Sequence, residues 1–337
     1  MNTLARACLA LGLALALWLP PGAAQATDIV DTAYVEQAIA RGAIVWDARD
    51  AEAYRRGHLP GAVNIGDVGR VLRDANREDW LPTTEIAALL GKAGIDPMAR
   101  EVIVYSHKGD NGAYFGLSTL RHFGAPQVRA YHGGIDDWVA AGKPVETAVA
   151  TRAPVNLVLT PQAGVVLWND DMMQRVREGR SQILDVRTPR EFSGDDIRAI
   201  RGGHIPGAMS IPYEQNWVDP DAAGKLARRE TRSRDGMSLK PREELSRLYA
   251  GLDRSREVVV YCQSGVRAAQ TASVLRDLGF GDVKVYEPSW LGYAGVLGAP
   301  AQRETFLNVG ALNGRLAVLQ RRIEDLEAEL AKARAGR

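Results

Sequence analysis

The chain has 337 residues, with 42 basic and 41 acidic side chains, 46% apolar residues and two cysteines. At roughly 100–200 residues per domain this length fits two domains, and the composition excludes a disordered chain or a fibrous repeat. A net charge of +1 supplies no field for nucleic acid or anionic lipid, two cysteines build no disulfide framework, and five scattered histidines carry no metal-ligand spacing, so neither a nucleic-acid partner nor a cofactor is implied.

Residues 1–26 read as an export segment. Arg6 supplies a short positive region, Cys8–Leu19 an almost unbroken apolar run, Pro20-Pro21-Gly22 a break, and Ala24-Gln25-Ala26 the small residues of a cleavage site. The run has 12 residues, short of the ~20 that span a bilayer. The expectation is a periplasmic or secreted protein, free of the membrane after cleavage, in which Cys262 is the one remaining cysteine. An unpaired thiol in an oxidising compartment calls for a chemical use.

An ordered self-similarity divides the rest. Ile44–Arg49 matches Ile183–Arg187 with Asp47 set against Asp185, and Gly57-His58-Leu59-Pro60-Gly61-Ala62 matches Gly203-His204-Ile205-Pro206-Gly207-Ala208. Further on, Val102–Tyr105 matches Val258–Tyr261, Leu120–Gly124 matches Leu275–Gly279, and Tyr131-His132-Gly133-Gly134 falls against Tyr286-Glu287-Pro288-Ser289. The offset grows from 138 to 146 to 156 residues, which places insertions in the second copy near Gly194–Arg201 and within Trp217–Gly236. Short β-branched runs alternating with amphipathic stretches predict two α/β domains, each a parallel sheet flanked by helices, over residues 28–150 and 155–303. The helices after Val102–Tyr105 and Val258–Tyr261 should end at Gly124 and Gly279. In the tail, 306–335, Val309, Leu312, Leu316, Leu319, Ile323, Leu326 and Leu330 form an a/d heptad stripe. That pattern favours a self-associating coiled coil, hence a homo-oligomer through residues 309–330, over a helix docked on its own domain.

Cys262 directly follows the strand Val258–Tyr261 and opens the loop Cys262-Gln263-Ser264-Gly265-Val266-Arg267, after which a helix begins. A strand-to-helix loop turns backbone N–H groups inward, Gly265 permits the left-handed turn, and the helix end adds positive potential, so the loop favours an anion and an accessible thiolate. Phosphate chemistry of this type separates Cys from Arg by five residues; here four intervene, and the smaller ring suits the terminal sulfur of a persulfide.

These motifs together resemble the tandem-domain sulfurtransferases of the rhodanese family, over about Asp28–Pro300. The resemblance rests on Asp185-Val186-Arg187, the Gly203–Ala208 motif, the Cys262–Arg267 loop and Tyr286-Glu287-Pro288-Ser289-Trp290. It implies two rhodanese-like domains, an inactive first and a catalytic second. It also implies a ping-pong reaction in which Cys262 takes a sulfane sulfur and passes it to cyanide or a thiol. The first copy carries Ser106 in place of Cys262 and Asn111 in place of Arg267, so it should be a scaffold. By the same resemblance Arg187 would bind the anionic donor beside Gln263, Ser264, Gly265, Val266 and Arg267, Trp290 would wall the sulfur pocket, and His58 and His204 would be structural.

Donor identity divides the family. Thiosulfate enzymes typically carry Cys-Arg-Lys-Gly-Val-Thr, and mercaptopyruvate enzymes Cys-Gly-Ser-Gly-Val-Thr with a relay from the serine to an aspartate of the first domain. Ser264 fits the second group, but Gly66 stands where that aspartate belongs and Asp67 is one place late. Arg187 and Arg267 offer charge for thiosulfate, and the reading leans to that donor. A binding module that carries or senses sulfur, assembled by its coiled coil, is the non-enzymatic alternative.

Overall fold

The computed structural model describes residues 27–335; the export segment expected at 1–26 lies outside the described residues. No helix among the described residues is long and apolar enough to cross a membrane.

The first domain holds β1 (Ile29–Val30), β2 (Ile44–Asp47), β3 (Val63–Asn64), β4 (Val102–Tyr105) and β5 (Val128–Tyr131), hydrogen-bonded in the order β1-β5-β4-β2-β3. The second holds β6 (Val166–Leu167), β7 (Gln182–Asp185), β8 (Arg201–His204), β9 (Met209–Ser210), β10 (Val258–Tyr261), β11 (Val283–Tyr286) and β12 (Gln302–Phe306). Its main sheet runs β6-β11-β10-β7-β9, the same order position for position, and every pairing in both sheets is parallel. Helices on both faces explain why the central strands are buried throughout. Along β10, Val258 and Val260 enter one buried cluster while Val259 and Tyr261 enter another on the opposite face, the period of two that a strand imposes. The helices Gly112–His122 and Val266–Asp277 end where the sequence reading put them, with Gly124 and Gly279 at positive φ.

These two helices also join the domains. They pack against each other, and Ala269 shares a buried cluster with Ala113, Leu117 and Leu120. Residues 155–159, expected at the start of the second domain, pack on the first instead: Val155 N–H donates to Gly91 O at 2.9 Å, and Leu159 is buried in the first domain's cluster.

Both insertions have a structural form. The stretch after Gly194 leads into β8, which pairs antiparallel with β12, beyond the sheet that the first copy contains. The other lengthens the connection between β9 and the helix Arg242–Leu248 to residues 211–241, against 65–82 at the equivalent place in the first copy. Each connection reaches the opposite domain. The helix Val309–Ala335 leaves the body, and every residue from Asn308 to Arg334 is exposed, so it does not dock on its own domain.

Candidate active site

The Cys262 loop is held from below by one hydroxyl. Ser289 Oγ accepts from the amides of Cys262 at 3.1 Å and Gly265 at 3.0 Å, and donates to Tyr286 O at 2.8 Å. Ser289 sits at φ +50, left-handed and costly for a residue with a side chain; the first copy has Gly134 there at φ +55. Two further strands of support come from backbone: Trp290 N–H donates to Cys262 O at 3.0 Å and Leu291 N–H to Gln263 O at 2.9 Å. Gly265 has φ +84, and a Cβ there would lie 2.6 Å from Glu287 Oε2, so both conformation and space demand glycine.

With Cys262 N–H and Gly265 N–H turned to Ser289, no acceptor among the described residues takes the amides of Gln263, Ser264, Val266, Arg267 or Ala268. Three of these belong to the first turn of a 12-residue helix, whose unpaired donors and dipole favour negative charge. Arg267 adds a cation at the loop end. Its guanidinium forms two 2.8 Å bonds with Glu191 and lies over the Tyr213 ring at 5.9 Å. Burial acts to lower its proton affinity, but the Glu191 hydrogen bond and the charge of the Cys262 sulfur raise it further than burial lowers it. Burial likewise pushes the Glu191 carboxyl up, and Arg267 overcomes this and holds it at about 2.

The expected accessible thiolate is corrected: Cys262 is a free cysteine only 1% exposed, within the buried apolar cluster that includes Val260, Ala268 and Ala272. The rim faces a cleft of about 740 Å³ between the domains, lined by Ser264 and Val266 on one side and Asp67, Arg70, Arg73 and Glu78 on the other. Gln263 is buried, its Nε2 donating to Arg198 O at 2.8 Å and its Oε1 without a partner.

Two expected site residues stand elsewhere. Arg187 is 1% exposed, and its guanidinium is spent on Asp185 (2.6 and 3.0 Å) and on Gly203 O (2.7 Å), so it has no free face for a donor anion. Arg49 makes the same bonds to Asp47 and Gly57 O in the first domain, which marks the pair as a brace of the fold. Trp290 does not wall the sulfur pocket. Its indole lies under Arg187 at 4.7 Å in the cluster on the other face of β10 and donates to Arg201 O at 2.9 Å. The two motif histidines are stacked, His58 on Tyr54 at 3.9 Å and His204 on Phe192 at 3.6 Å, each with Nδ1 on a backbone carbonyl.

The sequence reading missed Arg73, Glu287, Ser289 and Glu191. Arg73 crosses from the first domain, donates to Ser264 O and to Glu287 Oε1, and stacks on Phe115 at 4.6 Å. Glu287 is buried, which pushes its carboxyl up against the opposing pull of Arg73. The repeat held a signal for two of these: Glu287 and Ser289 replace His132 and Gly134 in otherwise matching segments.

In the first domain the corresponding loop is closed chemically and physically. Ser106 Oγ donates to Asp110 Oδ2 at 2.6 Å and Gly112 N–H to Asp110 Oδ1 at 3.1 Å, so a carboxylate already sits in the loop and takes the serine hydroxyl and one amide at the helix start. Met237, from the long second-domain connection, covers it: a Cβ on Gly109 would lie 2.6 Å from Met237 Cβ. His132 Nε2–H donates to Met237 O at 2.8 Å while its Nδ1 accepts from Tyr114 Oη, and burial lowers the ring to about 4, keeping it neutral.

A model of the rhodanese-like domain matches residues 31–141 and again 169–295. The chain is 32% identical over 273 residues to the thiosulfate sulfurtransferase of Corynebacterium glutamicum, spanning 77% of this chain and 84% of that one. It is 31% identical over 266 residues to the sulfur carrier protein TtuD of Thermus thermophilus, spanning 74% and 87%. The crystal structure of SseA from Escherichia coli, a 3-mercaptopyruvate sulfurtransferase, has the same fold, with a TM-score of 0.65 at 24% identity over 79% of this chain and 99% of that one. With two such domains in tandem and one cysteine loop between strand and helix, the chain belongs to the rhodanese family of sulfurtransferases.

Proposed function

We propose that the protein is a thiosulfate sulfurtransferase working through a persulfide on Cys262. The Cys262 thiolate attacks the outer sulfur of thiosulfate, the sulfur–sulfur bond of the donor breaks, and sulfite leaves with the electron pair. The resulting Cys262 persulfide anion gives its terminal sulfur to cyanide, releasing thiocyanate, or to a thiol acceptor, and the thiolate returns. Unpartnered amides at the loop and helix start hold the anionic sulfur as donors hold an oxyanion, and they need no rearrangement as charge moves.

The observation that carries this reading is the free cysteine in a loop with open donors, set against a serine loop that already holds the Asp110 carboxylate. Because Glu191 neutralises Arg267, Glu287 neutralises Arg73 and Arg187 is enclosed, donor charge falls to Arg70 of the cleft. Thiocyanate release from thiosulfate and cyanide should vanish in Cys262→Ser; turnover that survives contradicts the proposal.

The mercaptopyruvate alternative draws on Asp67, which lines the same cleft as Ser264 and whose carboxyl burial pushes up. Ser264→Ala separates the donors: loss of activity with mercaptopyruvate alone supports the relay, and unchanged preference for thiosulfate supports our assignment. The carrier alternative, in keeping with the relative named a sulfur carrier, predicts persulfide formation with negligible turnover. Export to the periplasm or medium follows from residues 1–26. Amino-terminal sequencing of the exported protein should begin at Thr27, and activity confined to the cytoplasm contradicts export.

A further inference from the structure

We infer that two copies of this chain join through a parallel, in-register coiled coil of the helix Val309–Ala335. The inference goes beyond the sulfur chemistry and does not depend on which donor is used. The helix has 27 residues, and its apolar stripe is bare: Val309, Leu312, Leu316, Leu319, Ile323, Leu326 and Leu330 are each 40–59% exposed. A solvated single helix takes its stability from a packed face, and Gly310 and Gly314 weaken this one further, so the stripe requires a cover. The body of the protein does not supply it, since every residue from Asn308 to Arg334 is exposed.

Charge selects the occupant and its direction. With Val309, Leu316, Ile323 and Leu330 at a and Leu312, Leu319 and Leu326 at d, the flanking g positions are Arg315, Arg322 and Glu329, and the e positions Asn313, Gln320, Glu327 and Arg334. In a parallel dimer each g residue meets the e residue five places on in the second copy. Arg322 then meets Glu327 and Glu329 meets Arg334, each twice by symmetry, with no like-charge pair. In an antiparallel pairing over the same stripe, Arg322 instead faces Arg322 of the second copy. β-branched Val309 and Ile323 at a with leucine at d favour two strands over three or four. Phe306 and Ile200, 61% and 51% exposed beside the helix start, extend the apolar surface onto the body. The strand that leads into the helix is itself fixed, β12 pairing with β8 and Arg201 bonding Glu304. A parallel dimer would therefore set both catalytic domains at one end of the coil.

Sedimentation equilibrium on the mature chain should give twice the monomer mass. Leu319→Glu with Ile323→Glu should give the monomer mass while thiocyanate turnover per chain stays within twofold of the parent. A monomeric parent, a trimer or larger assembly, or a double variant that still dimerises overturns the proposal. For direction, Leu312→Cys in a Cys262→Ser background should form an interchain disulfide under mild oxidation. An antiparallel pairing holds those positions ~27 Å apart along the helix axis, so a dimer that fails to cross-link overturns the parallel arrangement. Glu327→Arg should weaken the dimer and Arg322→Glu in the same chain should restore it; absence of rescue contradicts the g–e pairing.

Discussion

The Cys262 and Ser106 loops stand at the same place in two sheets of identical strand order, yet only one is open to an anion. Two differences produce this. Within the loop, the first copy has Asp110 where the second has Val266, and the carboxylate of Asp110 takes the Ser106 hydroxyl and the Gly112 amide. Across the domain boundary, each domain sends the connection after its edge strand, β3 or β9, over the other's loop. The first domain's shorter connection carries Arg73, which touches Ser264 O and Glu287 and leaves a cleft. The longer connection from the second domain ends in Met237, which packs onto Gly109 and leaves none. The first copy thus differs from the second by a resident carboxylate and a covering methionine as well as by serine in place of the cysteine.

The sharpest way to break this comparison is Val266→Asp, which moves the resident carboxylate into the catalytic loop. The fold should survive, since the first domain accommodates the same residue, while sulfur transfer falls by about 10²–10³-fold, the scale of losing donors to a developing anion. Activity near that of the parent would show that the open amides are not what holds the sulfur. Next in size is Arg73→Ala, which leaves Glu287 buried without its cation. Chemical denaturation should show a loss of about 3–5 kcal/mol. Adding Glu287→Gln should recover part of it, and additive losses would mean that the pair is not coupled.

Acid separates the loops by a smaller amount. Glu191, held at about 2 by Arg267 in the folded protein, has an unfolded value near 4.3. A carboxyl lowered on folding contributes stability that is complete above the unfolded value and is lost as pH falls toward the folded one. Stability should therefore drop between about pH 5 and 2, by up to ~3 kcal/mol from this group, and Glu191→Gln should flatten that part of the profile. An equal slope in parent and variant would refute the assignment. Smallest is Ser289, which bears a left-handed strain to supply its hydroxyl. Ser289→Ala should cost about 1–3 kcal/mol for amides left unpaired, and Ser289→Gly about 1 kcal/mol less because the strain goes too. Equal melting temperatures for the two variants would remove strain from the account.

The features that repeat were legible in the sequence: the two parallel-sheet domains follow from matched β-branched runs, and the cysteine loop from its position after Val258–Tyr261. What sequence did not reveal lies where chain-distant groups meet. Arg73 is 191 residues from Ser264 and 214 from Glu287, so no spacing announces the contact. Arg187 misled for a related reason. An arginine at the end of a strand looks available, and only the structure reveals that Asp185 and Gly203 O enclose it, as Asp47 and Gly57 O enclose Arg49. Trp290 follows the loop-bracing segment in sequence but, on the helix Ser289–Gly295, turns its indole into the cluster on the other face of the sheet from Cys262.

Intact-protein mass spectrometry of the mature enzyme after exposure to thiosulfate alone tests the central claim most directly. The account predicts a gain of one sulfur atom located at Cys262, removed stoichiometrically by cyanide and absent in both Cys262→Ser and Val266→Asp. An unmodified Cys262 in an enzyme that still turns over, or a sulfur carried at another residue, would contradict it.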